Sequence, residues 1–362
     1  MLTSVSRVGA RTELAGFRRK NPTSDTLFSL KTNQLDDLDR ALVHALQING
    51  RAPFGLIAAA LGVSDHTIAR RYRRLRSQGV LRVVGLPDSA RLGRTDWFIR
   101  LRCVPDGALP IARALARRDD ISWVMLTSGG AEITCQASIA SRGQRDALLL
   151  GTLPRSRQIV QVDALSVLRS FYGGATGWNG RTSALTADQA SRIAAAGLPV
   201  PDAGSAALAV LDPQDEALLA QVRQDGRIPV ADLAAALGCS QPAASRRLDR
   251  LITSGVLFFD VEIAPEHLGY QVEALLWVTV APGRLEAAAT AAAWHPQVAL
   301  AAATSGDTNL LLGVGCHDSA GLYDYVAHRL GPIDGVHAVQ TAPVVRTVKR
   351  AGTLLEPAAP GR

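Results

Sequence analysis

Residues 65–77 read Asp-His-Thr-Ile-Ala-Arg-Arg-Tyr-Arg-Arg-Leu-Arg-Ser, with five arginines in thirteen positions. At about 100° per residue, Ile68, Tyr72 and Leu75 share one side of a helix and must face a core. His66, Arg70 and Arg73 point nearly opposite, Thr67 and Arg74 flank them, and Arg71 lies nearer the core edge. The planar guanidinium fork pairs bidentately with guanine or clamps phosphate, so this face suits the major groove of double-stranded DNA. Arg70, Arg73 and Arg74, with His66 and Thr67, are expected to read the groove, and Arg71 to anchor the backbone. The bland alternative is a solvated basic face. A related run at 241–252 sets Leu248 and Leu251 toward a core and Arg246, Arg247 and Arg250 outside. There Pro242 and Ala243 stand for His66 and Thr67, and Asp249 stands for Arg73. A second DNA reader and a module that only packs or dimerises both remain open for that run.

Little else in the chain has the spacing that chemistry needs. There is no G-x-x-x-x-G-K-[ST], H-E-x-x-H or G-x-S-x-G run, and the seven histidines are scattered. His317-Asp318 reads as a turn, and Gly173-Gly174-x-x-Gly177 falls in a linker. The four cysteines lie far apart with no C-x-x-C pair, which argues against a disulfide scaffold or cysteine zinc site and fits a reducing cytoplasm. Neither catalytic residues, metal nor cofactor are expected. No apolar run is long enough to span a membrane.

The elements that must position residues 65–77 follow from their surroundings. Residues 36–48 fit an amphipathic helix with Leu38, Leu42 and Leu46 on one stripe. Gly50 ends it and Pro53 blocks continuation. A short Ala/Leu helix runs to Leu61, Gly62 supplies the turn, and Ser64 caps the next helix. The frame is a helix-turn-helix, and it occurs twice. Residues 35–93 align with 211–269 without a gap, with 23 of those 59 positions identical. Gly50-Arg51-x-Pro53 recurs as Gly226-Arg227-x-Pro229, and Arg70-Arg71 as Arg246-Arg247. The charge is not duplicated. Residues 35–82 carry eight basic and four acidic residues, whereas 211–258 carry five and six. The whole chain is +7, yet residues 1–95 alone are +9, a local basicity of the kind that polyanion binding leaves.

After each helix-turn-helix the pattern reads strand, helix, strand, strand, helix, strand, beginning at 97–104 and 274–281. That order predicts a ferredoxin-like βαββαβ sandwich, with Gly129-Gly130 and Gly306-Asp307 at the hairpin between its second and third strands. The expected fold class is α+β, a winged-type helix-turn-helix followed by a ferredoxin-like domain, the pair duplicated. The expected segments are a basic flexible arm (1–34), helix-turn-helix (35–95), sensor (96–172), linker (173–206), helix-turn-helix (207–270), sensor (271–347) and flexible tail (348–362). A short helix is allowed over 186–196.

The chain resembles the leucine-responsive regulatory (Lrp/AsnC) family, in tandem. The carrying residues are Leu38-Asp39, Asn49-Gly50-Arg51, Ala59-x-Leu61-Gly62-x-Ser64, Thr67-Ile68-x-Arg70-Arg71-x-x-x-Leu75 and Gly79-Val80-Leu81. In the second copy they are Asp215, Asp225-Gly226-Arg227, Leu237-Gly238-x-Ser240, Arg246-Arg247-Leu248-x-x-Leu251 and Gly255-Val256-Leu257. The resemblance implies a transcriptional regulator that dimerises through its ferredoxin-like sheet, here within one chain, with further homo-oligomers across the remaining sheet surfaces. It also implies a small effector, often an amino acid, near the loop after the second sensor strand. The family usually carries Gly-x-x-Asp there. This chain has Gly129-Gly130-Ala131-Glu132 and Gly306-Asp307-Thr308-Asn309. The effector candidates are Thr127, Ser128, Gly129 and Glu132, with Thr304, Ser305, Gly306, Asp307 and Asn309. A free carboxylate at Glu132 would hold an α-ammonium group; otherwise these are simply hairpin residues.

The expected function is a cytoplasmic, sequence-specific DNA-binding regulator and not an enzyme, with Ser64 and the arginines named above as its DNA-contacting set. Two alternatives share the architecture. One is a sirohaem decarboxylase, a class that resembles this family, but neither hairpin carries the histidine and aromatic residues a tetrapyrrole would want. The other is an architectural DNA-binding protein without an effector.

Overall fold

The computed structural model describes residues 35–104, 106–174, 184–197 and 208–355. The expected basic arm, most of the linker and the end of the tail lie outside the described residues.

The first helix-turn-helix is α1 (Asp37–Ile48), α2 (Phe54–Leu61) and α3 (Asp65–Ser77). Asp36 caps α1 by accepting from the Asp39 N–H, and Ser64 caps α3 by accepting from the Thr67 N–H. Gly62 closes α2 in the left-handed region, φ 69°, where a side chain would be strained. Strand β1 (Leu81–Pro87) follows. The first sensor then runs β2 (Thr95–Cys103), α4 (Ala108–Ala116), β3 (Ile121–Thr127), β4 (Glu132–Ile139), α5 (Arg142–Asp146, continued as a π-turn to Thr152) and β5 (Ile159–Tyr172). In the linker, α6 (Ala187–Ala195) docks on the first helix-turn-helix, burying Ile193 and donating from Gln189 Nε2 to the Ala60 carbonyl.

The second half repeats the order as α7 (Pro213–Gln224), α8 (Val230–Leu237), α9 (Gln241–Thr253) and β6 (Leu257–Ile263), then β7 (Val272–Val280), α10 (Leu285–Ala293), β8 (Val298–Thr304), β9 (Leu310–Cys316), α11 (Ser319–Asp324, continued to Leu330) and β10 (Val336–Arg350). Strand β10 outruns the expected end of the sensor at 347. It turns at Ala351-Gly352 into β11 (Thr353–Leu354), and the Gly352 N–H bonds the Ser122 carbonyl. Val348 and Lys349 are buried, so the packed sensor extends into what the sequence suggested was tail.

The duplicated α+β architecture is therefore present, and its two copies are interwoven. Strand β1 pairs antiparallel with β6, so the strand after each helix-turn-helix finds its partner in the other half. Each sensor sheet has the ferredoxin-like order, β3-β4-β2-β5 and β8-β9-β7-β10. Strand β5 then pairs with β8, and β10 with β3, closing eight strands into a ring. Closure satisfies the open backbone groups that a lone sheet would present at its edges. Helices cover the outside over Ile99, Leu101, Val124 and Ile133 in one half and Leu276, Val278, Leu310 and Leu312 in the other. The inner faces meet over Phe98, Leu165, Leu275, Trp277 and Leu311, as strand alternation requires. The sheet pairing expected within one chain is thus made by β5–β8 and β10–β3. Among the described residues no helix is long and apolar enough to cross a membrane.

Candidate nucleic-acid interface and sensor hairpins

The arginines of α3 divide into two sets. Arg71 reaches back to α1, with Nη1 2.6 Å from Asp36 and 2.8 Å from Asp39, and Arg74 takes the other Asp39 oxygen. Asp39 is almost wholly buried, so it needs both guanidiniums to offset its desolvation. The hydrogen bonds that Arg71 donates to Asp36 and Asp39 raise it above its ordinary pKa. Burial pushes the Asp36 carboxyl up, but the Arg71 hydrogen bond and charge outweigh it and hold Asp36 below the usual range. The pair Arg71/Arg74 therefore fixes α3 against α1, which differs from the expectation that Arg74 reads the groove and Arg71 anchors the DNA backbone.

His66, Arg70 and Arg73 form the outward set. All three are exposed, and none makes an ion pair among the described residues. Arg73 Nε donates to the Ala69 carbonyl of its own helix at 3.2 Å, and Thr67 Oγ1 sits 2.9 Å from the Ser64 hydroxyl. Arg76, at the end of α3, bonds Asp225 in the other half at 2.8 Å.

Helix α9 repeats the inward set. Arg247 bonds Asp212 and Asp215, and Arg250 bonds Asp215, itself buried. Burial pushes Asp215 up, yet Arg250 and Arg247 hold it below the usual carboxylate range. Of the three arginines expected outside, only Arg246 is exposed without an ion pair among the described residues. Its neighbour on that face is Asp249, touched by the Ser245 hydroxyl at 3.5 Å.

The two helix-turn-helix domains are joined by a reciprocal lock whose role the sequence did not disclose. Arg51 donates to the carbonyls of Gly226 and Ile228 at 2.6 and 3.0 Å. Arg227 donates to Gly50 and Ala52 at 2.7 and 2.9 Å and lies 4.4 Å from the Phe54 ring centre. Gly50 permits this approach, because a Cβ there would sit 2.7 Å from Phe259 Cβ. The available signal was the recurrence of Gly-Arg-x-Pro in both copies.

At the sensor hairpins the expectation of a free carboxylate is corrected. Glu132 is buried and salt-bridged to Arg100 at 3.0 Å, and its other oxygen accepts from Thr127 Oγ1 at 3.2 Å. Arg100 also donates to Gln340 and lies over the Trp277 ring, 4.7 Å from its centre. That carboxylate is already neutralised by a guanidinium from its own half. Thr127 is buried with it, while Ser128 and Gly129 are exposed at positive φ. In the second hairpin, Asn309 bonds the backbone of Val280 through both amide atoms, at 2.8 Å each. Thr304 Oγ1 donates to the Thr308 carbonyl, and Ser305 Oγ accepts from the Ser166 N–H. Gly306 has φ 101°, and a Cβ there would sit 2.4 Å from Leu165. Asp307 is exposed and makes no ion pair among the described residues. Each hairpin thus lies beside the long last strand of the other half, Thr127 opposite Val344 and Thr304 opposite Val167. Two clefts, about 660 and 600 Å³, occur elsewhere, where the helix-turn-helix pair meets the ring. The larger is lined by Arg82, Arg94, Arg223 and Lys349 with Asp119 and Glu216.

Comparison with known proteins adds the following. The AsnC-type helix-turn-helix domain model matches residues 35–76 and again 211–252, and the Lrp/AsnC ligand binding domain model matches 273–354. The leucine-responsive regulatory protein of Rhizobium meliloti is 31% identical over 145 residues, 39% of this chain and 93% of that protein. The HTH-type transcriptional regulator FL11 of Pyrococcus furiosus is 25% identical over 146 residues, 40% of this chain and 96% of that one. Among solved structures, the siroheme decarboxylase NirDL superposes with a TM-score of 0.60 at 14% identity, covering 87% of this chain and 93% of that chain. At that identity the likeness is one of fold.

Proposed function

The chain belongs to the Lrp/AsnC family, and from that premise we propose that it is a sequence-specific, DNA-binding transcriptional regulator whose single chain supplies what a dimer would. The observation that carries this is the outward face of α3, with Arg70, Arg73, His66 and Thr67 presented by a helix that two salt bridges to the buried Asp39 tie to α1. A recognition helix so placed sets its first turns against base edges in the major groove. In this reading Arg70 and Arg73 address guanine or phosphate, and the Ser64–Thr67 cap lies at the helix end nearest the bases. Arg71, Arg74, Arg247 and Arg250 serve by orienting their helices. Arg246 is the corresponding outward cation of α9.

The small-molecule effector is assigned to the second hairpin, where Thr304–Asn309 frames the exposed carboxylate of Asp307. That carboxylate suits the α-ammonium group of an amino acid. A thermal-shift screen of amino acids tests it, since a ligand that binds only the folded state raises the melting temperature. Loss of that shift in Asp307→Asn supports the site; an undiminished shift removes it. Location in the cytoplasm fits the four free cysteines. Further homo-oligomers would use the outer helical faces, where Leu150, Trp294 and Tyr323 are exposed, because the sheet edges are consumed within the chain. Light scattering tests this, and a strict monomer at working concentration overturns it.

We read the chain as a regulator rather than an enzyme, despite the fold it shares with a decarboxylase. Its hairpins, Thr127–Cys135 and Thr304–Leu312, contain neither histidine nor an aromatic residue. Stoichiometric binding of an iron tetrapyrrole with a shifted Soret band would overturn that. The decisive experiment for the main reading is genome-wide mapping of bound DNA, in which enrichment at discrete promoters supports it and uniform coverage refutes it.

A further inference from the structure

We propose that the operator is a non-palindromic duplex, two unlike half-sites in a fixed order, because one chain carries two different reading helices locked about a pseudo-twofold axis. The proposal rests on the DNA-binding reading above.

Strands β1 and β6 pair antiparallel with Val84 opposite Asp260, and Arg51 and Arg227 reach reciprocally into the other domain's turn. Arg76 adds a bond from the end of α3 to Asp225. Helices α3 and α9 are therefore presented together by every molecule.

The ion-pair frame that holds the two reading helices is retained. Asp39, Arg71 and Arg74 correspond to Asp215, Arg247 and Arg250, and the ion pairs are the same on both sides. Ser64 and Ser240 occupy the same helix start, and Gly62 and Gly238 close the same turn at φ 69° and 62°. On the buried side Ile68 becomes Ala244 and Tyr72 becomes Leu248, which keeps that side apolar, and the outward side changes in chemistry. His66 becomes Pro242, Thr67 becomes Ala243, Ala69 becomes Ser245 and Arg73 becomes Asp249, while Arg70 persists as Arg246. A homodimer must repeat its reading helix, so its best site is a palindrome. Fusion removes that constraint.

The chemistry of the two faces separates their targets. Arg70 and Arg73 are donors and match the N7 and O6 acceptors of guanine. Asp249 is acceptor-only and repels both phosphate and those guanine acceptors. It accepts from the exocyclic amine of cytosine instead, with Ala243 small enough to meet a thymine methyl group. Arg246 keeps one guanine or phosphate contact. The first half-site is thus read by paired cations, and the second by a cation and a carboxylate.

The test is selection of full-length protein on duplexes with a randomised centre. The expected motif differs from its own reverse complement and contains two unlike half-sites. Symmetric duplexes built from either half-site alone should each bind at least tenfold more weakly than the selected site. The triple variant Pro242→His, Ala243→Thr, Asp249→Arg changes only outward positions. It should move the preference to the palindrome of the first half-site. A palindromic motif from the native chain overturns the proposal, as does a motif confined to one half-site or a triple variant with an unchanged motif. Failure to enrich any motif overturns the DNA-binding reading itself, so the two failures are distinguishable.

Discussion

Replacing Glu132 with alanine isolates what that carboxylate does. In the structure it bonds the Arg100 guanidinium at 3.0 Å, and both side chains are less than one-tenth exposed. Without Glu132, Arg100 keeps the Gln340 amide oxygen and the face of Trp277 but no ion pair among the described residues, so a buried charge loses its bonded counter-charge. Breaking one side of a buried pair costs about 3–5 kcal/mol. At about 2–4 °C per kcal/mol for a cooperative unit of 150–250 residues, the melting temperature should fall by roughly 6–20 °C. The assay is denaturant and thermal unfolding of the full chain followed by circular dichroism. The double variant Arg100→Met, Glu132→Gln removes charge from both sides and should recover most of the loss, since buried pairs replaced together are often near neutral. A Glu132→Ala loss under about 1 kcal/mol, or a double variant no better than the single, refutes the assignment. If Glu132 instead received an effector's ammonium group, its removal would abolish a ligand-induced shift and leave the unliganded protein as stable as before.

The other predictions separate packing from reading. Gly50→Ala drives a methyl group to 2.7 Å from Phe259 Cβ and 3.1 Å from Val83 Cγ1, an overpacking that should cost about 1–3 kcal/mol in urea unfolding. Gly55→Ala, in α2 with nothing within 4 Å of the new Cβ, should be stabilising by about 0.5–1 kcal/mol. Arg70→Ala should weaken operator binding by about 1–3 kcal/mol with an unchanged melting temperature, as measured by fluorescence anisotropy and calorimetry. Arg71→Ala should do the reverse in sign of readout, losing about 1.5–3 kcal/mol of stability through Asp36 and Asp39. Arg250 and Arg247 hold Asp215 below its unfolded pKa, so its contribution is present above that pKa and lost as pH falls through the lower folded value. Acid titration should therefore loosen α9 from α7 below about pH 4, and Asp215→Asn should flatten that limb of the stability curve.

The parts of this fold that were legible in sequence are those set by local spacing. Gly62, Ser64 and the Ile68/Tyr72/Leu75 stripe specify the turn, the cap and the buried side of α3, and all three are where the residues placed them. The repeat and the βαββαβ order follow from the same short-range signals. What stayed hidden depends on partners far along the chain. Helical phase put Arg71 and Arg74 near or beside the outward face. Their tether to Asp39, 32 and 35 residues away, depends on how α1 crosses α3. Glu132 looked free because its counter-charge stands on a neighbouring strand, 32 residues earlier. Closure of the ring through β5–β8 and β10–β3 is a choice of partner, and strands with the same alternation could equally have paired between chains.

The asymmetry of the two halves reaches the axis that relates them. Arg100 stands opposite Thr134 and Asp163 in its sheet, and Trp277 stands opposite Leu311 and Gln340 in the other, so the two residues hold equivalent register positions. They also touch each other, with the guanidinium 4.7 Å from the centre of the Trp277 ring. Equivalent residues in mutual contact must straddle the pseudo-twofold axis. A symmetric pair of first halves would bring two buried guanidiniums together there, and a pair of second halves two indoles. The cation–π contact of unlike residues is available only to the heterotypic pair. The ring interior therefore favours the intrachain arrangement, as does the Arg76–Asp225 ion pair between the helix-turn-helix domains, since the first half has Asn49 where the second has Asp225. Once pairing is fixed within the chain, symmetry no longer constrains the outward residues of α3 and α9. The divergence of Arg73 and Asp249 is the freedom that the buried Arg100–Trp277 contact makes permanent.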